Sequence, residues 1–444
     1  MSFSAASLHA ALETCVPAET VGLVVALSGG PDSAALLAAA AALGKNFRGL
    51  PLRALHIDHG LQAAAAEFRE NCQALCDQLG IRLKVIAVEV RNDAGESIEA
   101  AARVARYAAL AAQLRPGECL LTAHHREDQA ETLLLQALRG AGIKGMSAMP
   151  MCRELGQGWH VRPLLDVAGS ELRAFAAPLQ RFQSTDPMNE DLRFDRVHLR
   201  RAIWPTLAKR WPGAGIALSR AASHLAEAQL LLDIAARADV ARLRDGDELS
   251  VQGLRCLTPL QRANAVRLWL SEKGLEPPST ARLAEALRQI LDAEEDQQPA
   301  IVWGGKALRR YRQRMFATDA DPPRLQSQPW AARLGASIDL GPQLGRLTWI
   351  AQIGGIAPQR LPATLEVRRR TGGETLKPAP SAKTQSVQHL CQSWGVLPWM
   401  RDALPLVYAG DELIAIADMW ADARWRAPGA PGLQIEWSGA PSVT

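Results

Sequence analysis

The amino-acid sequence predicts an α/β protein: a parallel-sheet domain, then a helical domain, then a small mixed α/β C-terminal module. Three observations lead there. Through the first two hundred residues, short apolar runs alternate with helical runs, the βαβα order of a parallel sheet covered on both faces. From about Trp204 to Leu291 the strand signal disappears and apolar residues recur at helical spacing, as in Ile216 to Arg237 and Leu260 to Lys273. Past Pro322-Pro323, short runs such as Leu347 to Ile350, Leu365 to Val367 and Glu412 to Ile416 return between glycines and prolines. A chain of 444 residues also exceeds what one core supports.

In order, strands are expected at Leu23 to Leu27, Leu52 to Ile57, Leu83 to Val88 and Cys119 to Thr122, with helices starting near Ser33, Ala64, Ser97 and Glu127. The parallel-sheet domain is expected over 1–203, the helical domain over 204–318, a linker over 319–345 and the C-terminal module over 346–440. In such sheets ligands bind beyond the carboxyl ends of the strands, so the residues that follow each strand carry the chemistry.

Composition narrows the class. The longest apolar stretch, Ala34 to Leu43, is mostly alanine and too short to span a bilayer, and Met1-Ser2-Phe3-Ser4 lacks the basic region of a signal peptide, so a cytoplasmic protein without membrane contact is expected. Seven cysteines scattered over this length make no disulfide framework. The closest pair, Cys72 and Cys76, is spaced C-x-x-x-C, and the absence of any C-x-x-C argues against a zinc ribbon or a cysteine-ligated cluster. A net charge of +4 is compatible with RNA but decides nothing alone.

The first apolar run breaks into Ser28-Gly29-Gly30-Pro31-Asp32-Ser33 and then into a helix. Two glycines permit positive φ and close backbone approach, while Ser28, Ser33 and the first N–H groups of the helix aim donors at an anion. Neither G-x-x-x-x-G-K-[ST] nor G-x-G-x-x-G fits this loop. An ordinary turn capped by Asp32 or Ser33 would explain one glycine and one cap, not the whole hexapeptide. The loop resembles the pyrophosphatase loop of the N-type ATP pyrophosphatases.

The second strand ends in His56-Ile57-Asp58-His59-Gly60-Leu61. His-x-Asp-His can hold zinc, but the histidine two residues upstream is replaced by Ala54, and the glycine turn suits a nucleotide-edge loop better. His56 taken alone also fits a satisfied strand residue. The fourth strand runs into His124-His125-Arg126-Glu127-Asp128 and on to Glu131; His124, Asp128 and Glu131 are spaced at four and three, and His125 and Asp128 at three, so that they can share one face of a helix's first turns. Acidic residues there suit the helix dipole, but beside a triphosphate they also have a task, holding Mg²⁺.

Gly140-Ala141-Gly142-Ile143-Lys144-Gly145 matches G-x-G-x-x-G yet follows a helix, which reads as a basic loop with Arg139 and Lys144, or as a plain helix cap. Arg196 and Arg200, four apart and preceded by Asp186-Pro187-Met188-Asn189, suit a phosphate or an RNA backbone as well as a solvated helix face. Near the C-terminus, Arg368-Arg369-Arg370-Thr371-Gly372-Gly373 and Pro398-Trp399-Met400-Arg401 offer backbone contacts and stacking to RNA, with Trp399 also a candidate for the core.

Taken together, these segments resemble the bacterial tRNA(Ile)-lysidine synthetase family along nearly the entire chain. They are the Ser28 to Ser33 loop, His56 to Leu61, the Glu99 to Tyr107 helix with Arg103 and Arg106, His125 to Thr132, Arg139 to Met146, Arg162-Pro163-Leu164, Arg196 with Arg200, and Pro398-Trp399-x-Arg401. Three departures stand out: Glu127 where aspartate is usual, Val197 where asparagine often follows the arginine, and a lysine run thinned to Lys377 and Lys383.

The resemblance implies an adenine nucleotide alpha hydrolase-like catalytic domain followed by tRNA-binding modules. It implies ATP and Mg²⁺ as cofactors, with tRNA(Ile) bearing a CAU anticodon and free L-lysine as partners; a homodimer is compatible with it. In the implied reaction the wobble cytidine O2 attacks the α-phosphorus of ATP, and the lysine ε-amine then displaces AMP at C2. Ser28, Gly29, Gly30, Pro31, Asp32, Ser33, His56, Asp58 and His59 would bind ATP. Asp32, His125, Asp128, Glu131 and Arg196 would be catalytic, with Asp32, Asp128 and Glu131 holding Mg²⁺. Arg103, Arg106, Arg139, Lys144, Arg200, Arg369, Trp399 and Arg401 would face substrate or tRNA. Asp128, Glu131 and His125 are all open as acceptors of the amine proton. Rival readings are another tRNA-modifying ATP pyrophosphatase, such as a 2-thiocytidine synthetase, which would need the missing C-x-x-C, and a non-catalytic tRNA-binding protein, which has no need of these carboxylates.

Overall fold

Strand β1 (Gly22–Ala26) and the residue after it send alternate side chains to opposite faces of a sheet: Leu23, Val25 and Leu27 enter one buried cluster and Val24 another. The computed structural model describes residues 2–44, 47–58, 65–88, 98–182, 192–294, 297–326 and 328–444. His59 and Asp186 to Asn189 lie outside these residues. Two compact units divide the chain, Met1–Leu232 and Asp233–Thr444.

In the first unit β1 is joined by β2 (Leu52–Asp58), β3 (Arg82–Ala87), β4 (Glu118–Leu121), β5 (Cys152–Leu155) and β6 (Gly158–Val161) in the order β3-β2-β1-β4-β6-β5. All neighbours are parallel except the β5–β6 hairpin, which closes one edge. That hairpin escapes a sequence reading because Cys-Arg-Glu-Leu and Gly-Trp-His-Val lack a clear apolar alternation.

The helices of this unit are α1 (Ala5–Cys15), α2 (Pro31–Leu43), α3 (Ala65–Leu79), α4 (Ile98–Gln113), α5 (Arg126–Leu138), α6 (Ile143–Met146), α7 (Gly169–Ala176), α8 (Asp195–His198) and α9 (Trp204–Arg210). A further helix, α10 (Ala214–Leu243), runs across the division between units. Leu8 and Leu12 of α1, Leu75 of α3 and Leu172 of α7 join α2 on one sheet face, while Leu110 of α4 and Leu114 just after it cover the other. Alanines let α2 seat close to the sheet, and its fully buried Leu36 and Leu37 each contribute about 2 kcal/mol relative to exposure. The carboxyl ends of β1 and β4 thus open onto the first turns of α2 and α5, where the loop and the acidic cluster were expected.

The second unit departs from the sequence reading. Its helices α11 (Val251–Cys256), α12 (Pro259–Glu272) and α13 (Thr280–Asp292) are accompanied by a five-stranded antiparallel sheet. The strands are β7 (Arg244–Asp245), β8 (Glu248–Ser250), β9 (Ala300–Trp303), β10 (Lys306–Tyr311) and β11 (Arg314–Asp319), in the order β7-β8-β11-β10-β9. Region 204–318 is therefore helical only up to residue 292, apart from the short β7–β8 hairpin. The later strands were hidden because each is short, and in β10, Lys306-Ala-Leu-Arg-Arg-Tyr, the buried residues include Arg310 beside Ala307 and Leu308, which breaks the apolar alternation.

The expected linker at 319–345 also shrinks. β12 (Trp330–Arg333) pairs with β15 (Thr364–Arg368), and β13 (Ile338–Gly341) pairs with β14 (Gly345–Ile353). Two more strands, β16 (Thr375–Leu376) and β17 (Gln385–Ser386), precede α14 (Val387–Ser393), and β18 (Leu406–Ala409), β19 (Glu412–Ile416), β20 (Trp420–Ala421) and β21 (Pro431–Ser438) complete the mixed module. Backbone pairing, not local composition, recruits β12 and β13. Among the described residues no helix is long and apolar enough to cross a membrane.

Candidate active site

The Ser28 to Ser33 loop is held by its own side chains. Ser33 Oγ accepts from the Ser28 N–H at 3.1 Å, lies 3.0 Å from Ser28 Oγ and donates to the Gly30 carbonyl at 3.0 Å. Gly29 has φ +88, and a Cβ there would come within 2.9 Å of Phe68, so both conformation and space require glycine. Gly30 caps α2, Pro31 opens it, and no side chain satisfies the first N–H groups of the helix, which leaves them facing outward as an anion cradle. Asp32 lies in that first turn, with its Oδ1 buried and without a hydrogen-bond partner.

His56, expected at the nucleotide, is instead buried beneath the loop: its Nδ1 is 2.8 Å from the Leu27 carbonyl oxygen and 3.6 Å from Cys72 Sγ. The histidine stiffens the end of β1 because that carbonyl has left the strand ladder and needs a donor. Asp58 sits at the end of β2 with Arg69 at 3.9 Å.

His125, at the start of α5, is ringed by carboxylates. Its Nδ1 is 2.9 Å from Glu127 Oε2, and its Nε2 is 3.6 Å from both Asp32 Oδ2 and Asp128 Oδ2. Burial disfavours its charged form, yet Glu127, Asp128 and Asp32 outweigh burial and hold the imidazole pKa above its ordinary range. Glu127 is drawn down to about 2: burial opposes this, but His125 and the Gly169 N–H, donating at 2.9 Å, prevail. Here the extra methylene of glutamate reaches across to the first turn of α7. Burial and the neighbouring Asp128 raise Asp32, against the pull of His125 and Arg173. The outcome is an imidazole beside the phosphate loop whose charged form the three carboxylates favour.

Glu131 is 1% exposed, and the sequence reading of its neighbours changes accordingly. Arg200 Nε donates to Glu131 Oε1 at 2.7 Å and its terminal nitrogen to Asp128 Oδ1 and Glu131 Oε2, both at 2.8 Å. Arg196 Nε donates to Glu131 Oε2 at 3.2 Å and its terminal nitrogen to Thr132 Oγ1 at 3.1 Å. Arg196 and Arg200 are thus turned inward as counter-charges, not outward to a phosphate backbone, because a buried carboxylate requires them. Both Glu131 oxygens are occupied, so Glu131 is not available as a metal ligand. Among the described residues no group of three or more His, Cys, Asp or Glu is arranged to hold a metal. The donor set fits Mg²⁺ only at Asp32, whose Oδ1 is an orphaned buried oxygen.

Other expected residues stand apart from this cluster. Arg139 pairs with Asp195 at 2.9 Å on the surface, and Lys144 is exposed on α6. In the second unit, Arg369 is exposed, while Arg401 donates to the Val396 carbonyl at 3.3 Å and Trp399 packs edge-on against Phe316, ring centres 5.2 Å apart. Arg103 and Arg106 gather at Tyr107 with two residues not singled out as site residues, Arg153 and Arg162. Only the Arg162-Pro163 dipeptide at the end of β6 hinted at them.

Three segments match family models: residues 4–207 a PP-loop domain, 249–316 a TilS substrate binding domain and 365–437 a TilS substrate C-terminal domain. The chain is 42% identical over 418 residues to a tRNA(Ile)-lysidine synthase of Alkalilimnicola ehrlichii, covering 93% of each chain. It is 38% identical over 393 residues to that of Coxiella burnetii, covering 88% of this chain and 87% of the relative. A solved structure, the U34-tRNA thiolase NcsA from Methanococcus maripaludis, is similar over 50% of this chain and 78% of its own, with 15% identity and a TM-score of 0.41. With identity of this extent running through all three matched segments, the chain belongs to the tRNA(Ile)-lysidine synthase family.

Proposed function

We propose that this protein makes lysidine on tRNA(Ile), ligating free L-lysine to C2 of the wobble cytidine in a CAU anticodon while ATP is split to AMP and pyrophosphate. The observation that carries the reading is the unpartnered, buried Asp32 Oδ1 at the anion cradle of α2, with the other oxygen of that carboxylate, Oδ2, 3.6 Å from His125 Nε2. A triphosphate lying on the Ser28 to Ser33 loop meets helix N–H groups and a positive imidazolium on the side where charge develops as pyrophosphate departs. Asp32 would hold Mg²⁺ carried with the triphosphate, and the ion would supply charge neutralisation of the phosphate oxygens.

The cytidine O2 forms a bond to the α-phosphorus as the bond to pyrophosphate breaks. Lysine's neutral ε-amine then adds at C2, AMP leaves, and the amine gives up a proton. Of the acceptors open from the sequence, His125 is flanked by three carboxylates that favour its protonated form, Glu131 has both oxygens on guanidinium groups, and Asp128 accepts from Arg200 and from the His125 N–H at 3.0 Å. Asp32, which the sequence reading did not count among them, keeps an unpartnered oxygen and a pKa that burial raises, and it would take the proton once pyrophosphate has gone. The reading places the reaction at the loop and gives the arginines round Glu131 a positioning role.

The test supplies ATP, Mg²⁺, labelled lysine and a tRNA(Ile) transcript with a CAU anticodon. Label is expected in the tRNA together with stoichiometric AMP, and both are expected to vanish in Asp32→Asn. Failure of the folded wild-type protein to transfer label overturns the reading.

A further inference from the structure

Helix α4 and the β5–β6 hairpin bring together more positive charge than the site described above uses. The guanidinium carbons of Arg103, Arg106 and Arg153 lie 5.1, 5.3 and 5.5 Å from the centre of the Tyr107 ring. A fourth guanidinium, Arg162, is 2% exposed at the end of β6. It donates to the Pro150 carbonyl at 2.7 Å and lies 3.1 Å from His160 Nδ1, while its Nε is buried without a partner. Tyr107 in turn packs on His160, ring centres 5.3 Å apart.

Among the side chains described, none of the ion pairs joins a carboxylate to any of these four arginines. Burial pulls Arg162 down to about 10 and Arg103 below its ordinary value, and the neighbouring arginines add to both effects. Burial and the same arginines push His160 to about 2. On an ordinary solvated surface, long like-charged side chains spread apart; here one ring collects three of them above a fourth that is buried. A planar guanidinium fork matches phosphate, and an anion would relieve the mutual repulsion.

We propose that Arg103, Arg106 and Arg153, gathered round Tyr107 with the buried Arg162 adding its charge, form a phosphate site that holds a backbone phosphodiester of the RNA substrate beside the reacting nucleotide. This rests on the function proposed above. Two features favour a phosphodiester over the phosphates of ATP. Arg153 lies on the edge strand β5, three strands from β1, and at the usual spacing of neighbouring strands that is roughly 14 Å from the strand whose loop would anchor the triphosphate, so the cluster extends outward from the nucleotide loop. It is nonetheless tied to the reaction centre: Thr122 Oγ1 lies 2.9 Å from His160 Nε2 and 2.8 Å from His124 Nδ1, and His125 follows in the chain. A polymer bound at the centre has phosphates on both sides of the reacting base; a single nucleotide does not.

The experiment uses the full chain with Arg153→Gln, Arg153→Lys and the double variant Arg103→Gln/Arg153→Gln. Affinity for the CAU transcript is measured against KCl concentration, and affinity for ATP separately. Each arginine removed is expected to make the slope of log K against log[KCl] shallower by about 0.7, with Arg153→Lys restoring it and ATP affinity unchanged. An unchanged slope in the double variant overturns the site. A loss of ATP affinity with an unchanged slope assigns the cluster to the nucleotide and overturns it equally. Lysine incorporation by the wild type reports on the reaction independently: incorporation without a slope change sinks this inference alone, and an arginine-dependent slope without incorporation sinks the reaction alone.

Discussion

Glu131 decides how two arginines behave. With its carboxylate buried and shared between Arg196 and Arg200, Glu131→Gln removes the charge that both guanidinium groups answer. Because Arg200 remains 45% exposed, the loss falls below that of a fully buried pair: about 2 kcal/mol of stability, read from urea unfolding. His125 and Glu127 give a second prediction at this scale. The imidazole should titrate above 6.5 by NMR, and Glu127→Gln should lower that pKa. The signs follow from linkage. The imidazolium's contribution to stability is complete below 6.5 and is lost as pH rises through the elevated folded pKa. Glu127's contribution is complete above 4.5 and is lost as pH falls from there toward about 2. A His125 that titrates at or below its ordinary value would remove the imidazolium from the mechanism.

At the scale of elements, two glycines let helices approach the site. Gly29 needs positive φ beside Phe68, so Gly29→Ala should cost about 2 kcal/mol and weaken ATP binding, measured by unfolding and by nucleotide titration. Gly169 opens α7 where a Cβ would come within 2.9 Å of His125 Cε1. Gly169→Ala should therefore leave the fold intact while lowering lysine incorporation at least several-fold, because it displaces the ring and the Glu127 carboxylate that its N–H holds. The strand ends were legible because a parallel sheet forces chemistry to its carboxyl edge, and Ser28 to Ser33 and His125 to Glu131 fall there. What α8 and the residues after it face was not legible. Helical spacing puts Arg196 and Arg200 on one side, and nothing in that spacing says whether solvent or a buried carboxylate lies opposite.

For the whole molecule, the division at residue 232 predicts unfolding that is not two-state. All tryptophans except Trp159, Trp204 and Trp211 lie after residue 232, so fluorescence follows mainly the second unit. ATP with Mg²⁺ should raise the denaturant midpoint of the far-UV transition belonging to the first unit and leave the fluorescence midpoint nearly unchanged. Equal shifts of both would indicate one cooperative body.

The sequence by itself determined the parallel sheet, the phosphate loop and the acidic start of α5, since strand alternation, glycine conformation and helix spacing are local and leave a mark in local order. The tertiary structure decided the rest: that His56 turns beneath the loop, that Arg196 and Arg200 answer Glu131, and that residues 330–333 pair with the distant strand β15. Those outcomes depend on which charge or strand edge arrives from far along the chain, and burial, which makes an unpaired carboxylate or amide costly, fixes the partner only once the fold has formed.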